Sequence, residues 1–325
     1  MSSQNIEVFD RVLNLGQLSW RDHIVLVSLL ALMGLFSLTS SYFLTIENLL
    51  NIARQTAVVA VLGVGLTMVI ISAEIDVSVG SVMALSAVLA AMALNAGFGW
   101  IGAVVVALGV GTIVGLTNGF FTVYFGIPSF LVTLGMLAAA RGAALIVTGT
   151  ETIVVRDPGF FNVFAGSIGP IPAIVIWAGL AVVLVHYVLS YTRFGRHIYT
   201  TGDDSQAARY NGIDTAKVKL TTLGVTGTLA GFAGLLMIGR LSAARPDMGM
   251  GIELAVIAAV ILGGTSLFGG RGWVTGTIIG ALLLSVIDNG LLLHGFGTSH
   301  QEFFRGIVII LAVALRAEEQ SGEWL

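Results

Sequence analysis

Two carboxylates lie close together in a part of the chain that is otherwise apolar. The stretch ISAEIDVSVGS (71–81) carries Glu74 and Asp76, and apolar runs lie on both sides of it, at 56–73 and 79–94. Acids in or beside a membrane are costly, so they usually face protein, water or a solute pathway. These two could accept hydrogen bonds from solute hydroxyl groups, couple solute movement to an ion, or cap a helix.

The residues around the two acids favour a break between two half-helices. Asp76, Ser78, Gly80 and Ser81 suit such a junction, in which Asp76 or Ser78 caps the helix that follows. A helix cap and a contact with solute are compatible, and the sequence leaves both interpretations open for this segment.

The elements that position this segment must lie largely in lipid. The 325-residue chain is 56% hydrophobic and 10% charged, whereas a soluble domain carries about 25% charged residues. Because the apolar runs do not alternate, we expect helices, which satisfy their own backbone in a bilayer. The predicted fold is therefore an all-α polytopic membrane protein with ten transmembrane helices. The predicted spans are 24–44, 56–73, 79–97, 100–119, 129–148, 171–190, 218–238, 252–264, 273–293 and 301–315.

The distribution of Lys and Arg predicts that both termini are cytoplasmic. With the N-terminus inside, nine of these residues lie on the inner side and four on the outer side, as the positive-inside rule requires. We therefore divide the chain into a cytoplasmic N-terminal segment (1–23), a single transmembrane domain (24–315) and a cytoplasmic tail (316–325). The most basic loop, 191–217, is predicted to lie in the cytoplasm.

A short motif recurs along the chain. The pattern NGxxxxxFG begins at Asn118 and again at Asn289, which is an offset of 171 residues (289 minus 118). In the predicted topology the two copies lie on spans of opposite direction, which indicates two inverted five-helix repeats, a plan common in transporters. Asn118 and Asn289 either line a solute pathway or satisfy local backbone groups.

Three other features are open to two interpretations each. Arg141 lies in an apolar span, so it should face the bundle interior, and a pairing with Glu74 or Asp76 is one option. The loop 149–170 either contacts an extracytoplasmic protein or covers the bundle. Glycine pairs at helical spacing allow helices to approach closely, within the chain or between subunits. These pairs are Gly111 and Gly115, Gly227 and Gly231, and Gly276 and Gly280.

The basic loop contains a predicted short helix. In DDSQAARYNG, Asp204 or Ser205 can cap its N-terminus and Gly212 is a natural stop. The helix either lies passively against the bundle or docks a cytoplasmic partner.

Several kinds of chemistry lack the residues they need. The chain has no Cys, its five His have no metal-ligand spacing, and GxxxxGK[ST] is absent. No Ser/His/Asp arrangement suggests an enzyme, and no basic tract suggests nucleic acid. We predict neither a metal nor a cofactor on this chain, so active transport would draw on a partner or an ion gradient.

Several stretches resemble the permeases of ribose-type ABC sugar importers. They are GRHIYTTGDDSQAARYNGI (195–213), EIDVSVGS (74–81), GIPSFLVTLG (126–135) and the block from AARPDMGMGIELAVIAAVILGGTSLFGGRG into DNGL (243–291). The resemblance covers residues 45–315. Glu74 stands where that family more often has Gly, which favours Asp76 and Ser78 as the core of the motif.

The resemblance implies a subunit of a larger assembly in a bacterial inner membrane. Such permeases pair as homodimers or heterodimers, a cytoplasmic ATPase with two often fused domains binds ATP and Mg²⁺, and a periplasmic binding protein delivers a monosaccharide. The short helix would be the coupling helix that receives the ATPase's motion. Its implied coupling residues are Asp204, Ser205, Ala207, Ala208, Arg209 and Gly212.

A second hypothesis is an ion-coupled secondary transporter of a small polar solute. In that case Glu74 or Asp76 would be the coupling carboxylate. The capped helix in the basic loop distinguishes the two hypotheses, because a secondary transporter needs no docking helix for an ATPase.

Overall fold

The computed structural model describes residues 20–321, so most of the predicted N-terminal segment and the last residues of the tail lie outside the described residues. Helices account for most of this part of the chain. In order, the elements are α1 (Trp20–Thr39), α2 (Ile46–Ile71), α3 (Val79–Asn95), α4 (Gly99–Tyr124), α5 (Ser129–Thr148), β1 (Ile153–Val154), α6 (Pro158–Phe164), β2 (Ser167–Ile168), β3 (Ile171–Pro172), α7 (Ala173–Tyr191), α8 (Arg193–Asp203), α9 (Ser205–Tyr210), α10 (Thr215–Leu241), β4 (Ala243–Ala244), α11 (Ile252–Leu262), α12 (Val274–Leu293) and α13 (Thr298–Ser321).

A helix overlaps each predicted span, and the lengths of these helices differ widely. Within the described residues, six helices are long and apolar enough to cross a membrane: α2, α4, α5, α7, α10 and α12. At 17 and 11 residues, α3 and α11 are shorter than the roughly 20 residues that a full crossing requires. A mostly helical membrane fold is therefore confirmed, and the described residues also contain four two-residue strands that form two small antiparallel pairs.

Helices α2 and α10 form the centre of the bundle and run antiparallel. Thr226 donates a hydrogen bond to the carbonyl of Gly65 at 2.9 Å. The C-terminal end of α2 lies beside Lys219, near the start of α10. We call the end of the bundle that carries residues 192–214 the basic end, and the opposite end the far end.

The predicted glycine pairs pack helices within this chain. A Cβ at Gly115 or Gly227 would overlap the backbone of the facing helix, so α4 and α10 approach as closely as glycine allows. Gly276 and Gly280 likewise face the backbone of Gly263 and Ala259 in the α11–α12 hairpin. The intramolecular interpretation is therefore confirmed for all three pairs.

The outer helices keep an apolar surface. Val105 and Ile113 of α4, Ile146 of α5 and Val183 of α7 are all more than 60% exposed. Such large side chains on three helices of membrane-spanning length fit contact with lipid.

The segment 149–170 folds onto the far end of the bundle. Asp157 caps α6 by accepting a hydrogen bond from the Phe160 amide at 2.6 Å. The Phe160 and Phe164 side chains are buried, and Trp177 donates a hydrogen bond to the α6 backbone. These contacts favour the interpretation that the segment covers the bundle.

Candidate functional site

Helix α2 ends in a Schellman motif, and this is the predicted helix break. The amide of Ala73 donates to the Ile70 carbonyl and the amide of Glu74 donates to the Val69 carbonyl. Ala73 has φ 61°, at the position where helices usually place glycine. The chain then runs without helical structure as far as Ser78. The turn thus redirects the backbone away from the α2 axis.

Side chains of α5 satisfy the backbone of this extended stretch. Ser129 accepts a hydrogen bond from the Ile75 amide at 3.0 Å, and Thr133 accepts one from the Val77 amide at 3.2 Å. Both hydroxyls are buried. Non-helical backbone is tolerated in a membrane protein where protein groups satisfy it in this way or where it lines a water-filled cavity.

Asp76, Ser78 and Asn118 form a connected polar cluster in the interior. One carboxylate oxygen of Asp76 accepts from the Ser78 amide at 2.8 Å and from the Ser78 hydroxyl at 2.6 Å. The Asn118 amide donates to the same hydroxyl at 3.0 Å, and the three residues are at most 1% exposed. The Asn118 carbonyl oxygen is buried without a partner among the described residues.

The predicted helix cap needs a correction. Ser78 occupies the N-cap position of α3, but its side chain accepts no hydrogen bond from the first turn of that helix. Its hydroxyl instead donates to Asp76. The carboxylate therefore closes a local turn ahead of α3 and does not cap the helix.

Glu74 has a different partner from its neighbour. Its carboxylate pairs with the ammonium of Lys219 at 2.6 Å, and both side chains are largely buried. The pair lines a cavity of about 350 Å³ at the basic end, which Thr122, Arg209 and Asp214 also line. The sequence analysis did not identify Lys219. The two residues are far apart in the chain, and no local pattern indicates that they meet.

The start of α3 meets the start of α11 in the interior. A Cβ on Gly80 would crowd the Glu253 carboxylate and the Gly249 carbonyl. One Glu253 oxygen is buried without a hydrogen-bond partner among the described residues. Glu253 is a second residue that sequence reasoning missed, although an acid that opens an apolar helix was a signal.

Arg141 does not pair with Glu74 or Asp76, so that option was wrong. Its guanidinium donates to the carbonyl oxygens of Pro246 and Met248, at 2.6 and 3.0 Å. Both acids already have partners, and the backbone after α10 passes within reach of Arg141.

Asn289 lies apart from Asn118. Its side-chain amide forms two reciprocal hydrogen bonds with Asn48, at 2.8 and 2.9 Å, which join α12 to α2. One helical position earlier, Asp288 pairs with Arg305 of α13 at 2.7 Å. The two recurring motifs therefore have different surroundings, and Asn289 joins two helices in place of satisfying local backbone.

The short helix of the basic loop is present as predicted. Asp204 caps α9 by accepting from the Gln206 and Ala207 amides at 2.8 and 2.9 Å. Gly212 follows the helix with φ 81°, which stops it. Ala207 and Arg209 are exposed, whereas Ala208 is 3% exposed and packs inward. Asp204 and Gly212 are exposed as well, and Ser205 is half-buried, so Ala208 is the one implied coupling residue that cannot reach a docking partner.

Backbone contacts at the basic end hold the end of α2. The Gly270 amide donates to the Ile71 carbonyl at 2.9 Å, and a Cβ on Gly202 would overlap that same carbonyl. Tyr199 of α8 donates to the Gly272 carbonyl at 2.6 Å. Burial raises the pKa of Tyr199 to about 12, so the hydroxyl keeps its proton at any physiological pH.

Comparison with known proteins assigns the chain to a family. Residues 48–313 match the family described as branched-chain amino acid transport system / permease component. The ribose import permease protein RbsC of Escherichia coli (strain K12) is 38% identical over 299 residues, covering 91% of this chain and 93% of RbsC.

Two further relatives have similar coverage. The D-allose transport system permease protein AlsC of Escherichia coli (strain K12) is 36% identical, covering 90% of this chain and 89% of AlsC. The autoinducer 2 import system permease protein LsrC of Yersinia pseudotuberculosis (serotype O:1b, strain IP 31758) is 33% identical, covering 89% of this chain and 83% of LsrC. No solved structure matches the chain significantly. The chain therefore belongs to this family of transport-system permease components and is a multi-pass membrane protein.

Proposed function

We propose that this chain is the transmembrane subunit of an ATP-driven importer of a monosaccharide. The observation that carries the proposal is the 38% identity to the ribose import permease over 91% of the chain. The allose permease points to the same class of solute. Since the chain lacks GxxxxGK[ST], ATP and Mg²⁺ belong on a partner ATPase and this chain binds no cofactor of its own.

The assembly lies in a bacterial inner membrane and includes three kinds of partner. A cytoplasmic ATPase supplies energy, a periplasmic binding protein delivers the sugar, and a second permease subunit, identical or related, completes the path. The exposed apolar faces of α4, α5 and α7 supply surface for lipid and for the second subunit.

Helix α9 is the coupling helix in this proposal. Its cap by Asp204 fixes its start, Gly212 fixes its end, and the exposed Ala207 and Arg209 face outward. Ser205 accepts a hydrogen bond from Arg209 at 3.3 Å and so orients that guanidinium. Docking at this surface would transmit ATPase closure to the bundle.

We also propose ten spans, with both termini cytoplasmic, in two inverted repeats. The offset of 171 residues relates Ile46, the start of α2, to Lys217, two residues from the start of α10 (46 plus 171 is 217). The same offset relates Ala73, Asp76 and Gly80 to Ala244, Asp247 and Gly251. The antiparallel packing of α2 and α10 supports an inverted relation between the halves.

The sugar path passes the meeting point of α3 and α11. Asp76, Ser78 and Asn118 form the polar cluster there, and Glu253 lies at the facing helix start. Carboxylate and amide oxygens accept hydrogen bonds from sugar hydroxyls. The unpartnered Asn118 and Glu253 oxygens are the acceptors that we expect a sugar to reach.

Mild purification from the native membrane, followed by mass spectrometry, tests the proposed function. We expect a co-purifying protein with Walker A motifs and a soluble sugar-binding protein. If no ATPase appears in several mild detergents, and vesicles take up solute with an ion gradient alone, the ion-coupled alternative replaces the proposal. Asp76 would then be the residue to titrate.

The proposed orientation has its own test. A short epitope inserted after Asp203, the exposed last residue of α8, should bind antibody only in inside-out vesicles. Binding in intact spheroplasts would reverse the orientation without affecting the family assignment.

A further inference from the structure

We propose that the Glu74–Lys219 ion pair is a rigid link that passes movement of the coupling segment to the broken segment at Asp76. The inference rests on the proposed function. It assigns a positioning role to both residues, since neither is placed on the sugar path or on the docking surface.

The two residues stand at the ends of the elements that must move together. Glu74 is the last residue of the Schellman turn and lies two residues before Asp76. Lys219 lies in the second turn of α10, which Asp214 caps immediately after the coupling helix and Gly212. A displacement of α9 therefore reaches Lys219 through one short turn and one helical turn.

The burial of the pair makes it a stiff contact. The side chains of Lys219 and Glu74 are 22% and 11% exposed, and their charged atoms lie 2.6 Å apart. The pair borders the cavity at the basic end, yet most of each side chain is covered by protein, so separating the two would leave a charge with incomplete solvation. Motion of one partner is thus followed by the other.

A second contact acts on the same helix end. The Ile71 carbonyl accepts a hydrogen bond from Gly270 and packs against Gly202 of α8. The end of α2 is therefore held by backbone contacts on one side and by the ion pair on the other. The backbone contacts locate the turn, and the ion pair ties it to α10.

The first test neutralises and then reverses the pair. In proteoliposomes with the partner ATPase and binding protein, Glu74→Gln and Lys219→Met should each lower uptake about tenfold while ATP hydrolysis persists, a coupling loss of ordinary size. The double variant Glu74→Lys/Lys219→Glu should recover uptake. Lys217→Met, which removes an exposed charge two residues away on the same helix, is the matched control and should behave like the unmodified protein.

A covalent link gives the sharper test. The chain contains no Cys, so Glu74→Cys/Lys219→Cys can be joined selectively by a short bis-maleimide. The double variant should be uncoupled before crosslinking and should regain uptake after it, because the two positions keep their separation through the cycle. Recovery by either charge reversal or crosslinking supports the link. Failure of both, or normal uptake by Glu74→Gln, would overturn it.

The experiments distinguish a failure of the proposed function from a failure of the proposed link. If the unmodified protein shows no ATP-driven uptake, that function is wrong, and the link is judged on the permease alone. Spin labels at Ile75→Cys and Gln206→Cys should then give a narrow distance distribution that broadens with Glu74→Gln and stays narrow with Lys217→Met. An unchanged distribution in Glu74→Gln would contradict the link.

Discussion

Two segments of this molecule share a residue pattern and differ in surroundings. Residues 72–78 follow α2, residues 242–251 follow α10, and the pattern Ala-x-x-Asp-x-x-x-Gly begins at Ala73 and again at Ala244. Asp76 of the first segment is 1% exposed, whereas the side chain of Asp247 in the second is 51% exposed.

The hydrogen-bond partners of the two acids differ as their exposure does: those of Asp76 are buried and that of Asp247 is exposed. Asp76 accepts both of its hydrogen bonds from Ser78 in the interior. Asp247 pairs with Arg245 at 2.6 Å in the open. A solvent-exposed ion pair contributes about 0–1 kcal/mol, while a buried polar group that loses its partner costs about 1–3 kcal/mol. The pattern alone therefore does not define a site, and the elements packed against it do.

Removing the buried acid should have the largest effect. Asp76→Ala leaves the Ser78 amide and hydroxyl without their acceptor, so we expect loss of sugar uptake and roughly 2–4 kcal/mol of destabilisation. Asp76→Asn keeps an acceptor and should lose less stability. Uptake in proteoliposomes and thermal unfolding in detergent measure the two effects. Normal uptake by a folded Asp76→Ala protein would remove this acid from the proposed path.

Substitution of Gly80, the glycine that ends the first pattern, should have the second-largest effect. A Cβ at Gly80 meets the Glu253 carboxylate and the Gly249 carbonyl, so Gly80→Ala should destabilise by about 1–3 kcal/mol through overpacking. Thermal unfolding would show it as a lowered midpoint. An unchanged midpoint would mean that α3 and α11 separate easily at their starts.

The matching glycine should show a smaller effect of a different kind. Nothing lies within 4 Å of a Cβ at Gly251, but its φ is 79°. Gly251→Ala should therefore cost about 1 kcal/mol through backbone strain alone, and Gly251→Asn should cost less, because Asn tolerates this conformation. Equal unfolding midpoints for Gly251→Ala and Gly80→Ala would erase the contrast between the segments.

The exposed acid should matter least. Arg245 holds the pKa of Asp247 below its usual value through a hydrogen bond and its charge. The stabilisation is present above the ordinary pKa near 3.8 and is lost as the pH falls through the lowered value. At pH 7, Asp247→Asn should shift the unfolding midpoint only slightly, and that shift should vanish in strong acid. A large shift at pH 7 would show that the second segment is as constrained as the first.

The sequence predicted the helices, the break after α2 and the short helix α9 well, because each depends on local signals. Apolar runs without alternation placed the helices, and the acids with Ser78 and Gly80 placed the break. Asp204 or Ser205 was predicted as the cap of α9 from residue type, and Asp204 is the one that accepts hydrogen bonds, from the amides two and three residues later.

The remaining contacts depend on which helices pack together, which local sequence does not specify. Lys219 meets Glu74 only because α10 runs antiparallel beside α2. Arg141 donates to backbone carbonyls, and every residue type carries a carbonyl, so no sequence pattern marks them. Asn48 pairs with Asn289 across 241 positions of sequence. The sequence alone does show that the Asp76 pattern recurs at Asp247, because the offset is the same 171 residues that separate Asn118 from Asn289.

The most direct test of the account is uptake of a labelled monosaccharide by proteoliposomes that contain this chain, the co-purified ATPase and the binding protein. With ionophores present to collapse all ion gradients, we predict accumulation that requires ATP and Mg²⁺ and stops in Asp76→Ala. Uptake that ignores ATP and collapses with the gradient would contradict it.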